Sequence, residues 1–458
     1  MLRAPVERYS LFTHANYDLT DSIEGFAEVS WAGREVAVNQ YITGPRSTMF
    51  VRGDNPYLTP EIRAMFPAPP NDTASLGKDL DGTYRSVNRS EVTTLRAVAG
   101  LSGRLADTWH WDGYYQYGRN EREQTFSRAR VNHFFQYALD AVDEGEYLTG
   151  TPNGNIVCRA TLQPAIPEGA EDCVPMNLFG LDNLTEEAVN YAYRTAPEDF
   201  EYTQHVVAAS TTGELFGGIG AGPFRGAVGA EYRSEKGDVS HRDIPYYNEF
   251  AFSYGQDFGG SIKVLEGFFE LNAPLLRDQP FARRLEFNGA VRRTRNKSHD
   301  AQTGDSKTTS ITSWKLSSIW DPVSWLRLRV TRSLDVRAAG FRELYYKTVP
   351  SEVGTTLGSV SNPWNGNATD NTPVLGGGEF GLAPEKAYTT TVGAVFSPGG
   401  VANGLRLSAD WYQIKIQGAI TSTNASQLVN FCYSYSAFGE RIDFTDDSRT
   451  DITFMRAT

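Results

Sequence analysis

The chain has little cysteine, three residues in 458, and it has no long apolar run. The near-absence of cysteine excludes a disulfide-dense small scaffold and a multi-thiolate metal module. Without about eighteen consecutive apolar residues there is no transmembrane helix, although membrane strands give too weak a hydropathy signal to be excluded this way. A basic run interleaved with aromatics is also missing. The net charge is −12, so nucleic acid is not an expected partner. The six histidines show no metal-ligand spacing, and no cofactor is expected. The glycine loop GGIGAGP (217–223) leads into the strand-like FRGAVGAEYR, whereas a phosphate cradle must open a helix, so it reads as a turn. Nothing in these patterns supports catalysis. The first residues, MLRAPVERYS, carry no apolar signal region, so an extracytoplasmic protein would imply a longer precursor.

What is present is alternation. In SWLRLRVTRSLDV (324–336), Leu326, Leu328, Val330, Leu334 and Val336 share one parity, and Arg327, Arg329, Thr331, Ser333 and Asp335 share the other. A period of two sends these sets to opposite faces of a strand. Arg332 breaks the rule by falling on the apolar parity. RLEFNGAVRR sets Leu285, Phe287 and Val291 against Glu286 and Arg292. FRGAVGAEYR sets Phe224, Val228 and Tyr232 against Arg225, Glu231 and Arg233. Six such pairs are predicted as hairpins: Arg8–Asp18 with Ile23–Trp31, Val92–Leu101 with Trp109–Tyr117, His205–Leu215 with Phe224–Arg233, Ile262–Asn272 with Leu285–Arg295, Thr312–Ile319 with Trp325–Val336, and Tyr388–Phe396 with Leu405–Ile416. Short turns close each pair. Long polar segments, near 33–91, 120–203, 237–261 and 338–386, separate most of them. Trp314, Trp320, Trp325 and Trp411 are expected near strand ends, as in an interfacial girdle. TEEAVNYAY (185–193) predicts a short helix capped by Thr185. The rhythm favours an all-β antiparallel transmembrane barrel with lumenal charges and long external loops over a water-soluble β-sandwich.

FFELNAPLLRD (268–278), WDPVSWLRLRVTRSLDVRAAGFRELY (320–345), LAPEKAYTTTVGAVFSP (382–398) and LRLSADWYQIKIQGAI (405–420) follow in that order, with DNPYL (54–58) and CVPMNLFG (173–180) before them. In order and spacing these segments resemble the barrel of TonB-dependent outer-membrane receptors, notably those of Caulobacter-like and sphingomonad bacteria. Two motifs depart from the pattern: Ala339 stands where a proline is usual, and GGGEF (376–380) replaces a Gly-Asn-Pro-like run. The resemblance implies energised uptake of a scarce nutrient, such as a siderophore or saccharide, in the bacterial outer membrane. Its implied partners are outer-membrane lipid, the TonB complex and an unidentified small-molecule ligand. A passive porin-like channel and a water-soluble β-sheet binding protein are the alternatives.

Against roughly 22 strands in large receptor barrels, the pattern predicts about twelve. Residues 1–458 therefore read as a partial barrel domain without a plug or TonB-contacting segment, and 441–458 as an aberrant tail. Expected lumen-facing residues are Arg225, Glu231, Glu286, Arg292, Arg327 and Arg329, read as a solvated wall with plug salt bridges in preference to a ligand site. Trp364 is a candidate loop contact to ligand. Cys158 and Cys173 lie in one loop as either a bridge or free thiols. An oxidising outer-membrane setting favours the bridge and leaves Cys432 without a partner.

Overall fold

A computed structural model of the chain describes residues 4–41, 46–68, 71–78, 80, 84–241, 249–251, 256–347, 357–362, 368–373, 377–399, 402–422, 426–427 and 429. Twelve strands form one antiparallel sheet in simple chain order. They are β1 (Val6–Thr20), β2 (Ile23–Tyr41), β3 (Arg85–Leu105), β4 (Trp109–Arg130), β5 (Tyr193–Phe216), β6 (Phe224–Ser240), β7 (Phe258–Gln279), β8 (Ala282–Asp300), β9 (Ser306–Val323), β10 (Leu326–Arg337), β11 (Glu385–Phe396) and β12 (Leu407–Gln417). Among the described residues β1 and β12 end the order and do not pair with each other, so the wall is an open, partial barrel.

The register carries the alternation across the sheet. Val228, Phe269, Val291, Trp314, Leu334 and Tyr388 lie in one row from β6 to β11. One position along, Gly229, Phe268 and Arg292 share the opposite face. The apolar face is not covered: Val207, Val228, Leu265, Val291, Leu316, Val330, Val392 and Trp411 are all exposed. A soluble sandwich would bury such a face against a second sheet.

The strands run past the predicted boundaries. β5 has 24 residues, well beyond the roughly 9–11 that cross a bilayer. Segments expected to be loop, such as 33–41, 120–130 and 193–203, continue the strands with polar residues on both faces. Alternation is silent where both faces are polar or where, as at Ala129, Tyr193 and Ala196, the strand joins the loop-end core. Trp314 and Trp411 likewise lie mid-strand rather than at strand ends. Trp320 and Trp325 do lie at the turn rim, as expected, beside Trp109, Phe216, Phe224, Phe281 and Phe396. Arg332 does fall on the apolar face. Its guanidinium reaches loopward over the Tyr388 ring, 5.9 Å from the centroid, and donates to Thr390 Oγ1. The long side chain thereby lifts its charge toward the rim.

Two packed cores sit at the loop end, where loop helices meet the ends of wall strands. One joins helices Asn132–Leu139 and Glu186–Ala192 through Phe135, Leu139, Met176 and Val189. As predicted, Thr185 Oγ1 accepts from Ala188 N (3.3 Å) to cap the second helix. The other core lays helix Phe341–Tyr345 on the charged side of β6–β8, against Val239, Ile262 and Val264. This contact needs Gly237 and Gly260. A Cβ at either would come within 2.5 or 2.6 Å of the Phe341 or Tyr345 ring.

Candidate functional site

The arginine ladder is a ladder of pairs. Arg327 grips Asp321 through Nε and Nη2, both at 2.8 Å. Arg329 grips Asp410 at 2.9 and 2.6 Å. Arg292 reaches Glu266 at 2.7 Å and covers the Phe268 ring. Glu286 takes Arg284 at 2.6 Å, and Glu231 takes Arg233 at 2.9 Å. Arg225 reaches Glu214 at 3.2 Å near the turn rim. Each of the six expected charged-face residues thus has an opposite charge in contact. A bare cationic stripe for an anionic solute is not what this face presents. Pairs this exposed contribute little to stability, about 0–1 kcal/mol each. Their consequence is a hydrated, nearly neutral surface.

Beyond the sheet, residues 46–68, 71–78, 80 and 131–192 form a knitted loop module. The DNPYL and cysteine-loop motifs meet in it. Asp54 accepts from Arg159 Nη2 at 2.7 and 2.8 Å, and Asp140 accepts from Arg159 Nε at 3.1 Å. Asn55, fully buried, donates to Leu139 O (2.8 Å) and accepts from Tyr57 N (3.0 Å). Met176, from CVPMNLFG, donates its N–H to Ala138 O (2.7 Å). Asp143 accepts backbone N–H bonds from Glu146, Asn153 and Gly154, which hold its carboxyl below the usual range. Cys158 and Cys173 are joined as a disulfide, with Cα atoms 6.1 Å apart. Closing a loop of this separation, 15 residues, restricts the open state by roughly 3 kcal/mol. Replacing both cysteines with serine should therefore make the 131–192 segment cleave at least tenfold faster in limited proteolysis; an unchanged rate would contradict that estimate.

A cavity of about 570 Å³ opens in this module. Phe50, Tyr137 and Pro167 supply apolar surface, and Arg52, Thr73 and Gln163 supply polar edges. It was not legible in the sequence, because its lining comes from four separated segments. Trp364, the residue singled out as a loop contact, lies outside the described residues, as do Cys432 and 441–458.

Two further knots fix loops to the wall. Arg337 binds Glu343 at 2.8 and 3.0 Å and Glu385 at 2.6 Å. Glu343 also accepts from Gly340 N (2.7 Å), and Glu385 from Ile420 N (2.6 Å). The Arg337 guanidinium keeps the Glu343 carboxyl below its ordinary value. This explains why DVRAAGFRELY and LAPEK travel together: arginine, helix and glutamate close one polar knot. At the end of β6, His241 is buried between Asp257 (Nδ1 to Oδ1, 2.7 Å) and Glu198 (Nε2 to Oε2, 3.3 Å), with Arg122 also on Glu198. Burial pulls the imidazole pKa down, but the two carboxylates outweigh it and the value is raised. A raised folded value means the stabilisation is complete below the unfolded value of about 6.5 and is lost as pH climbs through the folded one. The protection factors around 238–241, with the intrinsic rise of exchange with pH divided out, should fall above neutrality, and His241→Asn should flatten that fall; wild-type protection that does not change with pH would refute the coupling.

An exposed apolar face, a turn rim of aromatics and long folded loops on an antiparallel meander define the wall of an outer-membrane β-barrel. Residues 39–443 match the family described as TonB dependent receptor-like, beta-barrel. The chain belongs to that family, whose barrels reside in the bacterial outer membrane and act as receptors rather than enzymes. This sets aside the water-soluble alternative. No curated protein matches the sequence. Among solved structures, the ferric-catecholate import receptor Fiu of E. coli K12 is similar at 10% identity, TM-score 0.44, over 93% of this chain and 53% of its own. BauA, the ferric preacinetobactin receptor of Acinetobacter baumannii, gives 9%, 0.44, 89% and 46%. The ferric enterobactin receptor PfeA of Pseudomonas aeruginosa gives 12%, 0.45, 91% and 43%. The chain spans about half the length of these structures.

Proposed function

We propose that this chain contributes to energised, TonB-dependent uptake of a scarce solute across the outer membrane. The family match over residues 39–443 carries the reading. In it the apolar face meets lipid. The face with Arg225, Glu231, Glu286, Arg292, Arg327 and Arg329 lines the wet interior. Its paired charges hydrate a path without trapping an ion on it. Solute is met first at the loop module, in the cavity beside Phe50 and Tyr137. Aromatic walls with guanidinium and amide edges suit a ring-bearing solute with polar substituents, as siderophores and saccharides are. Loops held by a disulfide and a buried Asp–Arg–Asp knot are rigid enough to present such a pocket.

The test is accumulation of labelled ferric siderophores and oligosaccharides in the source strain. Deleting the gene should abolish accumulation of at least one of them, and inactivating TonB should abolish the same one. Accumulation that depends on the gene but survives loss of TonB would identify a passive channel and overturn the proposal.

A further inference from the structure

Arginines of the charged face and cations of the apolar face differ in their partners. On the charged face, Arg284, Arg292, Arg327, Arg329 and Arg337 each touch a carboxylate. On the apolar face the loopward half of β7–β12 carries Lys263, Arg293, Arg295, Lys297, Lys386 and Lys415. All six are exposed, and among the described residues none is in an ion pair. The register fixes their side: Arg295 opposes Leu265, Arg293 opposes Gly267, Lys386 opposes Val336 and Lys415 opposes Tyr388. From Gly259 to Leu271 of β7, and along all of β8–β12, no Asp or Glu occupies this face. The matching region of β1–β5 is different, because acidic residues share its face: Arg89 meets Glu35 at 2.5 Å and Arg119 meets Glu121 at 2.6 Å, and only Arg85, at the loop end of β3, has no ion pair among the described residues.

Lys263 and Lys297 sit directly opposite each other, an arrangement that is destabilising when left bare. Arg293, Arg295 and Lys297 repeat at every second residue of β8, about 7 Å apart. The stripe begins where the apolar residues of β8 end, at Val291, some ten residues from the turn at 280–281. That is about the length of strand a bilayer takes. The cations therefore lie at headgroup level, continuous with the apolar face.

We propose that this half of the outer face binds phosphate-bearing lipid headgroups of the outer leaflet. The inference rests on the reading that the apolar face meets lipid. Phosphate oxygens would accept charge-assisted hydrogen bonds from Arg293, Arg295 and the two opposed lysines, and relieve their repulsion. Arg332, at the edge of the stripe, is already turned toward the same level.

The full chain is reconstituted in vesicles of phosphatidylcholine, or of phosphatidylcholine with an equal amount of diphosphoryl lipid A. It is then extracted in mild detergent, and retained lipid is counted by mass spectrometry. Lipid A should be enriched about tenfold or more over phosphatidylcholine. The triple variant Lys263→Gln, Arg295→Gln, Lys297→Gln should lose most of that enrichment. The pair Lys386→Gln, Lys415→Gln should lose part of it independently. Arg89→Gln with Arg119→Gln, on β3 and β4, should keep it. Equal retention of both lipids by the wild type, or undiminished enrichment in the triple variant, would overturn the proposal. So would complete displacement of lipid A by excess inorganic phosphate, since that marks a solute site. Failure to enter vesicles of either composition is a separate result: it would refute the lipid-facing reading itself.

Discussion

Arg159→Ala should loosen the loop module by roughly 3–5 kcal/mol, the usual cost of stranding buried charge. The arginine is 8% exposed and stands between two carboxylates, Asp54 and Asp140, that are themselves mostly covered. Removing it leaves Asp54 and Asp140 facing each other where water enters poorly, with only Arg52 among the described residues, 3.3 Å from Asp140, to offset them. Arg159→Lys keeps the charge but not the fork that serves both partners, so its loss should be about half as large. Hydrogen exchange over 132–192 reads the local opening free energy directly. The wall should keep its protection in both variants, because Arg159 touches no wall strand. Equal protection in wild type and Arg159→Ala would show that the knot is ornamental.

The second large effect is on the wall. Val207→Arg and Val330→Arg place a charge on the proposed lipid face. Each should cost roughly 2–4 kcal/mol at mid-depth, less near the interfaces. They lie on β5 and β10, five strands apart, so the two costs should add. The neighbouring change Ala208→Arg points to the other face, in register with Glu231, and should cost less than about 1 kcal/mol. Urea titration in lipid vesicles, followed by gel mobility of the folded form, measures all three. If Ala208→Arg proved as harmful as Val207→Arg, the faces would be wrongly assigned.

The strand count and the two-faced wall were legible in the sequence because each half-buried strand writes its own period. Val228, Val291 and Val330 announce one face within a few residues. Strand ends were not legible. Residues 120–130 and 193–203 carry polar side chains on both faces and, at Ala129, Tyr193 and Ala196, join the loop-end core, so a simple apolar–polar alternation does not survive there. The loop module was hidden for another reason: Asp54, Asp140 and Arg159 are far apart in the chain and meet only through tertiary packing. The motifs DNPYL and CVPMNLFG were visible as words, but their meaning, a shared core with Leu139 and Ala138, was not. The arginine ladder was seen, while the carboxylates that neutralise it, Asp321 and Asp410, lie on other strands. A charge pattern read one strand at a time overstates the charge of a sheet.

The central claim is that one face of this sheet meets lipid and the other water. Single cysteines at Val291, Val330, Arg292 and Arg329, carrying a small fluorophore in reconstituted protein, test it most directly. Nitroxide-labelled lipid should quench Val291 and Val330 and spare the arginine positions, and aqueous iodide should do the reverse. Iodide quenching all four sites equally, with lipid nitroxide quenching none, would contradict the account.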